Sequence, residues 1–320
     1  MSIQTNRNKT ITLTKQEKDK FRTKLIKLKS VKKEINPILN KIINQDYFDA
    51  VKKLPKNFID LAFIDPPYNL RKSYNGDIFK EMSSEKYTKW VREWIKLLIP
   101  LLKENASIYI CGDWRTSSML HTVCVEEGLH VLNRITFARD KGRGSTKFWK
   151  NNSEDIWFFT KSNKYYFNAD AVKTKKKVIA PYRNEGKPKD WVEGENGNYR
   201  LTFPSNVWFD TEDSTDLWGD ITIPFWSMSE NTPHPTQKPE KLLAKIILAS
   251  SKENDVVFDG FSGVGTTGVV AKKLNRNFVM IEKDEEYSMY GLKRLELADS
   301  NKKIQGYKDG YFWERNANLN

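Results

Sequence analysis

Apolar residues recur along the chain in two rhythms. Short runs at 60–64, 107–111, 131–138, 155–160, 255–258 and 278–281 have the length and branched-residue content of buried strands. Between them lie stretches with helical spacing. In 84–102, Tyr87, Val91, Trp94, Ile95 and Leu98 fall on one face. Residues 115–128 read as a helix closed by Gly128. Another helix is expected over 239–251, and a third follows the glycines near Gly265 and runs to Leu274. Strands alternating with helices predict an α/β fold with a doubly wound, mostly parallel sheet covered on both sides.

The flanks read differently. Thr14 and Glu17 have capping-box spacing, in which each side chain satisfies a free backbone donor of the other residue. Phe21, Leu25, Leu28 and Ile35 follow on one face, so 10–35 is expected to be a lysine-rich helix. Packing on the body is preferred for it over lying along DNA phosphates. The globular pattern begins after Pro37. Five segments result: a basic arm (1–36), a first half (37–170), an insert (171–232), a second half (233–300) and a polar, loosely ordered tail (301–320).

Periodicity fades over 171–229. Lys173, Lys175, Lys176, Lys177, Lys187 and Lys189 alternate there with Tyr182, Trp191, Tyr199, Trp208, Trp218 and Trp226. A stretch this long without regular pattern is functional or disordered, and so many aromatics argue against disorder. An inserted recognition module is expected. Basic residues interleaved with aromatics suit nucleic acid, and the tryptophans can also form a small core. A second basic segment carries Arg139, Lys141, Arg143, Lys147 and Lys150 beside Gly142 and Gly144. It reads as a phosphate clamp or a solvated hairpin.

Charge sharpens the choice of partner. Lys and Arg number 54 against 41 acidic residues, a net charge of +13. That surplus favours a polyanion, nucleic acid before anionic membrane; a solvated lysine-rich surface is the plainer alternative. No run of about 18 apolar residues exists, so no membrane span is expected, and residues 1–10 lack the apolar core of a secretion signal. Cys111 and Cys124 offer neither a disulfide framework nor a CxxC pair, which fits a reducing cytoplasm. His121, His130 and His234 lack zinc-ligand spacing, so no metal is expected.

Two constellations carry chemistry. Gly263, Gly265 and Gly268 match G-x-G-x-x-G after a strand and before a helix, with Glu282 closing the next strand. Such glycines allow a tight turn and close approach of backbone to a ligand, and the acid is placed to hold ribose hydroxyls. The fingerprint suits a nicotinamide enzyme as well as an adenosylmethionine enzyme. The other is Asp65-Pro66-Pro67-Tyr68, just past a strand's carboxyl end. Neither proline has an N–H, so the turn presents carbonyls and no donors, and an ionised Asp65 only accepts. Two rigid acceptors complement an –NH2 group, and Tyr68 offers a face to a flat ring.

These residues resemble the prokaryotic DNA amino-methyltransferases in their beta arrangement, over roughly residues 40–298. That family places a D-P-P-Y motif ahead of F-x-G-x-G, here Asp65-Pro66-Pro67-Tyr68 and Phe261-Ser262-Gly263-Val264-Gly265. His234-Pro235-Thr236-Gln237-Lys238-Pro239 matches a further motif, and Asp46 falls where an acid lies near the cofactor adenine. Gly260 departs from the pattern, where proline or phenylalanine is commoner, and a local change of loop shape is expected. The resemblance implies a Rossmann-like methyltransferase fold with an inserted target-recognition module. It implies direct methyl transfer from S-adenosylmethionine to a base flipped out of double-stranded DNA, within a restriction-modification system. Asp65, Pro66, Pro67 and Tyr68 would be catalytic. Asp46, Asp65, His234, Lys238, Asp259, Phe261, Ser262, Gly263, Gly265, Thr266 and Glu282 would hold the cofactor; the basic segment itself puts Arg139, Lys141, Arg143 and Lys147 on DNA. Dimers are frequent in the family.

Aspartate as first motif residue points to adenine N6, with cytosine N4 as the alternative. Cytosine-C5 chemistry needs Pro-Cys, whereas Cys111 follows Ile110 and Cys124 follows Val123. A nicotinamide oxidoreductase leaves Asp65–Tyr68 and the charge unexplained. A non-enzymatic DNA-binding protein leaves both pockets unexplained.

Overall fold

The computed structural model describes residues 10–75, 77–138, 146–147, 151, 153–178, 183–193, 198–208 and 229–313. Its main sheet has eight strands: β1 (Lys41–Asn44), β2 (Ile59–Ile64), β3 (Leu102–Gly112), β4 (His130–Ala138), β5 (Ser153–Thr160), β6 (Val207–Trp208), β7 (Val256–Asp259) and β8 (Asn277–Glu282). They lie in the order β1-β8-β7-β2-β3-β5-β4-β6. All neighbours are parallel except around β5, which runs against β3 and β4. The parallel strands therefore end on one edge. Asn44 is level with Glu282, Asp259 with Met280, and Ile64 with Ile110.

Among the described residues there are seven α-helices around the sheet: α1 (Lys15–Arg22), α2 (Tyr47–Val51), α3 (Ser84–Leu98), α4 (Ser117–Glu126), α5 (Glu240–Ser250), α6 (Thr266–Lys273) and α7 (Glu285–Ser300), against which α1 lies. All six residues of β2 are buried, as a central strand covered on both faces requires. Its Ala62 and Ile64 join the cluster under α3 and α4; Leu61 and Phe63 join the cluster under α5 and α6. Helix α3 starts where the Ser83 hydroxyl accepts from the Lys86 amide. It buries Tyr87, Val91, Trp94, Ile95 and Leu98, the face read from the sequence. Each such side chain contributes roughly 1.5–3 kcal/mol by leaving water.

Two expectations are corrected, and some residues lie outside the described part. The basic helix is eight residues long, not the span 10–35. Its capping box forms, Thr14 N to Glu17 at 2.8 Å and Glu17 N to Thr14 at 3.2 Å. The chain then leaves helical geometry after Thr23, and Ile26 bridges to Ile43 beside the sheet. Lys18, Lys20 and Arg22 pair with Glu286, Glu296 and Glu285 of α7. These cations are neutralised by the protein's own carboxylates. The tail is also ordered through Trp313. Tyr307–Lys308 and Tyr311–Trp313 pair across Asp309 and Gly310, both at positive φ. This is the two-residue turn that an Asp-Gly pair favours. The second of these strands pairs with Thr174–Lys177 of the insert, which pairs in turn with Tyr199–Thr202. Phe312 is fully buried in the result. Tail and insert thus share one small four-stranded sheet. Finally, Arg139, Lys141, Arg143, Tyr182, Trp218 and Trp226 lie outside the described residues.

Candidate active site

The edge where β1, β8, β7 and β2 end encloses a cavity of about 510 Å³. Ligands collect at such edges because the sheet presents loops and helix N-termini there. Asp65 to Tyr68 leave β2 directly into the cavity, and all four line it. The turn is braced from behind. The Tyr87 hydroxyl donates to the Pro67 carbonyl at 2.8 Å, and the Asn69 side chain both donates to and accepts from the Met82 backbone at 2.8 Å. Asp65 accepts from two side chains: the Tyr68 hydroxyl reaches Oδ1 at 3.0 Å, and the Lys238 ammonium reaches Oδ2 at 2.6 Å. Lys238 also stands 3.3 Å from Glu154.

The glycine loop faces this turn. Gly263 and Gly265 both sit at positive φ, 52° and 75°. A Cβ on Gly263 would lie 3.1 Å from His234 Nε2, at the cavity wall. Gly268 keeps α6 against β8: a Cβ there would fall 2.2 Å from the Met280 methyl. Glu282 closes the loop by accepting from the Gly263 amide at 2.8 Å and from the Asp284 amide at 2.7 Å. Burial pushes its carboxyl up to about 7 despite those donors. Asp259 lies deeper, accepting from the Phe261 amide and the Thr267 hydroxyl. Burial raises its carboxyl to about 7 as well. His234 accepts from the Thr236 amide at Nδ1, and burial lowers its imidazole to about 4, leaving it neutral.

Of the sequence-predicted residues, Asp46, Asp65, His234, Lys238, Phe261, Gly263 and Glu282 line the cavity. Asp259, Ser262, Gly265 and Thr266 are not among the lining residues. Asp259 shapes the loop from beneath, and the Thr266 hydroxyl accepts from Arg294. Lys147 is exposed. Sequence reasoning missed an aromatic wall of Tyr47, Phe48, Phe79 and Trp90, and also Glu154. Tyr47 stacks on Phe261 at 4.8 Å. Its ring fills the space beside Gly260, where a Cβ would fall 2.4 Å from Cε2. The departure at Gly260 is thus matched by a tyrosine next to Asp46. The cavity suits a nucleoside carrying a charged side chain: aromatic faces for a base, Glu282 for hydroxyls, and a loop with room only because Gly263 lacks a side chain.

Comparison with known proteins agrees with this geometry. A family model described as DNA methylase matches residues 59–293. The chain is 32% identical over 258 residues to the type II methyltransferase M.HpaI of Haemophilus parainfluenzae, covering 80% of this chain and 74% of that one. It is 33% identical over 264 residues to the DNA adenine methyltransferase YhdJ of Escherichia coli, covering 80% and 83%. Among solved structures, the M1.HpyAVI–SAM complex superposes with a TM-score of 0.53 at 25% identity, over 80% of this chain and 98% of that one. The cytosine-N4-specific PvuII DNA methyltransferase superposes at 0.57 with 17% identity, covering 81% and 89%, which is a likeness of fold.

Proposed function

The chain belongs to the DNA methylase family, and on that premise we propose that it methylates the N6 amino group of adenine at a specific sequence in duplex DNA. It is an S-adenosylmethionine-dependent DNA methyltransferase. The observation that carries the proposal is the convergence of the Asp65 carboxylate and the glycine loop on one cavity. Bound along the glycine loop, S-adenosylmethionine supplies a methyl group on a positively charged sulfur.

The chain's own residues do the rest. Glu282 accepts from the ribose hydroxyls, and Asp46 lies at the rim for the cofactor's base. Tyr68 offers its face to a target base extruded from the helix, since the amino group is paired while stacked. Asp65 and the Pro66 carbonyl accept the two amino hydrogens. This leaves the nitrogen lone pair directed away from them, and Asp65 takes the proton that nitrogen sheds. Positioning and electrostatics account for the rate.

DNA approaches from the strand-end edge. β4 ends there at Ala138 and β5 begins there at Ser153, and the sequence between them carries Arg139, Lys141, Arg143 and Lys147. The insert adds cations over aromatic rings: Lys175 lies 4.5 Å from the Tyr199 centroid and Arg183 5.0 Å from that of Trp191. Aspartate as the first motif residue supports adenine, as does the YhdJ name. The type II names of several relatives support a place beside a restriction enzyme. Modified-base sequencing of DNA from cells expressing the protein tests this. N6-methyladenine in one recurring sequence is expected, absent with Asp65→Ala; N4-methylcytosine instead would overturn the adenine assignment.

A further inference from the structure

Each oxygen of Asp65 already accepts from one donor before any substrate arrives. Tyr68 occupies Oδ1 and Lys238 occupies Oδ2. An amino group brought to Oδ2 competes there with the Lys238 ammonium, which at 2.6 Å neutralises the carboxylate that should receive it. Lys238 cannot simply be released, because its side chain is only 7% exposed and a buried ammonium without a counter-charge is costly. Glu154 is the second carboxylate within its reach, 3.3 Å away and 11% exposed. It stands near the start of β5, the reversed strand, and so enters the sheet at the edge where β2 ends. A small movement of the Lys238 side chain exchanges one carboxylate for the other.

We propose that Glu154 is a positioning residue for methyl transfer, taking the Lys238 ammonium as the target amino group enters and so freeing Asp65 Oδ2 to accept from that group. This rests on Asp65 being the group that holds the substrate. The balance of charge gives the arrangement its purpose. Lys238, Asp65 and Glu154 together carry one net negative charge. The amino nitrogen becomes positive as its bond to the methyl carbon forms and the carbon–sulfur bond breaks, with the electron pair going to sulfur. The nitrogen then passes a proton to Asp65. One excess negative charge therefore matches the transition state better than the neutral amine. An isolated Asp65–Lys238 pair is neutral and offers no such excess.

The test compares Glu154→Gln, Glu154→Asp and Asp65→Ala in the full chain. Glu154→Gln should lower kcat roughly 10- to 100-fold, the scale of one hydrogen bond to a charged group, while affinity for S-adenosylmethionine by calorimetry is unchanged. Glu154→Asp should recover part of the loss. A second readout needs no turnover. With S-adenosylhomocysteine present, the unaltered protein should bind duplex with adenine at the target tighter than duplex with purine, which lacks the amino group. Glu154→Gln should bind the two alike. A Glu154→Gln variant with normal kcat and an intact adenine preference would overturn the proposal. So would a loss of activity traced to lowered melting temperature with that preference retained. If Asp65→Ala still transfers methyl groups, the reading of the site itself fails, which the Glu154 variants alone would not reveal.

Discussion

The glycine loop and the catalytic turn stand side by side on one sheet edge and are made of opposite materials. The loop works by what it lacks. Gly263 and Gly265 adopt positive φ, and the missing Cβ at Gly263 leaves the wall against His234 open. Its polar contact to Glu282 is a backbone amide, that of Gly263. The turn works by what its side chains carry: the Asp65 carboxylate meets the Tyr68 phenol and, from outside the turn, the Lys238 ammonium. A loop of backbone and absence can bind a ligand tightly, yet it supplies no group that changes charge during a reaction. A turn of ionised side chains can follow a developing charge, at the cost of burying ions. Binding and transfer should therefore be separable by mutation, and tests at four positions sharpen or break that division.

The largest effect belongs to the turn. Asp65→Ala should reduce methyl transfer by about 10²–10⁴-fold, the usual contribution of a proton-accepting group, and leave cofactor affinity near normal. A parallel collapse of cofactor affinity would merge the two regions into one. Gly263→Val should do the reverse. A β-branched residue at φ 52° is strained and its Cβ meets His234. By filling space that the cofactor needs, the side chain should weaken cofactor binding by about 100-fold, about 3 kcal/mol, readable by calorimetry on protein shown to be folded. Full affinity in that folded variant would remove the loop from the binding site.

Smaller effects fall between them. Tyr68→Ala should weaken binding of the extruded base by about 5- to 150-fold, the range for one base stacked on an aromatic ring. Tyr68→Phe keeps the face and loses only the bond to Asp65, so base binding should survive far better than in Tyr68→Ala; equal losses would mean that the hydroxyl, not the ring, matters. The smallest is a pH effect in the loop. Burial holds the Glu282 carboxyl near 7, so it is neutral below that pH and a stronger acceptor above it. Cofactor affinity should rise about 5-fold from pH 6 to 8, the difference between a neutral and a charged hydrogen bond, and Glu282→Gln should flatten the rise.

The same division explains what was legible in the sequence. The glycine spacing and the Asp-Pro-Pro-Tyr turn are local, so both could be read and placed at strand ends. Helix α3 was legible because Tyr87 through Leu98 keep one face. Leu25 and Leu28 misled, since their spacing from Phe21 continues a helical period while the chain turns at Thr23 and runs alongside β1. β1 has four residues, too few for a pattern. Helix α7 lacks a clean apolar stripe, burying Tyr287, Tyr290 and Arg294 alike. The tail had a signal that went unused, Asp309-Gly310 between aromatic residues, but its partner strand lies more than a hundred residues earlier. Glu154 is a single acid beside an apolar run. Only the fold brings it to Lys238.

The central claim is that this site methylates an adenine amino group, and nucleoside mass spectrometry tests it most directly. Unmodified duplex DNA is incubated with the protein and methyl-labelled S-adenosylmethionine, then digested to nucleosides. The label should appear in N6-methyladenine and disappear with Asp65→Ala. Label in N4-methylcytosine with none in N6-methyladenine would contradict the adenine assignment, and label in neither, on DNA containing its recognition sequence, would contradict the reading of the site.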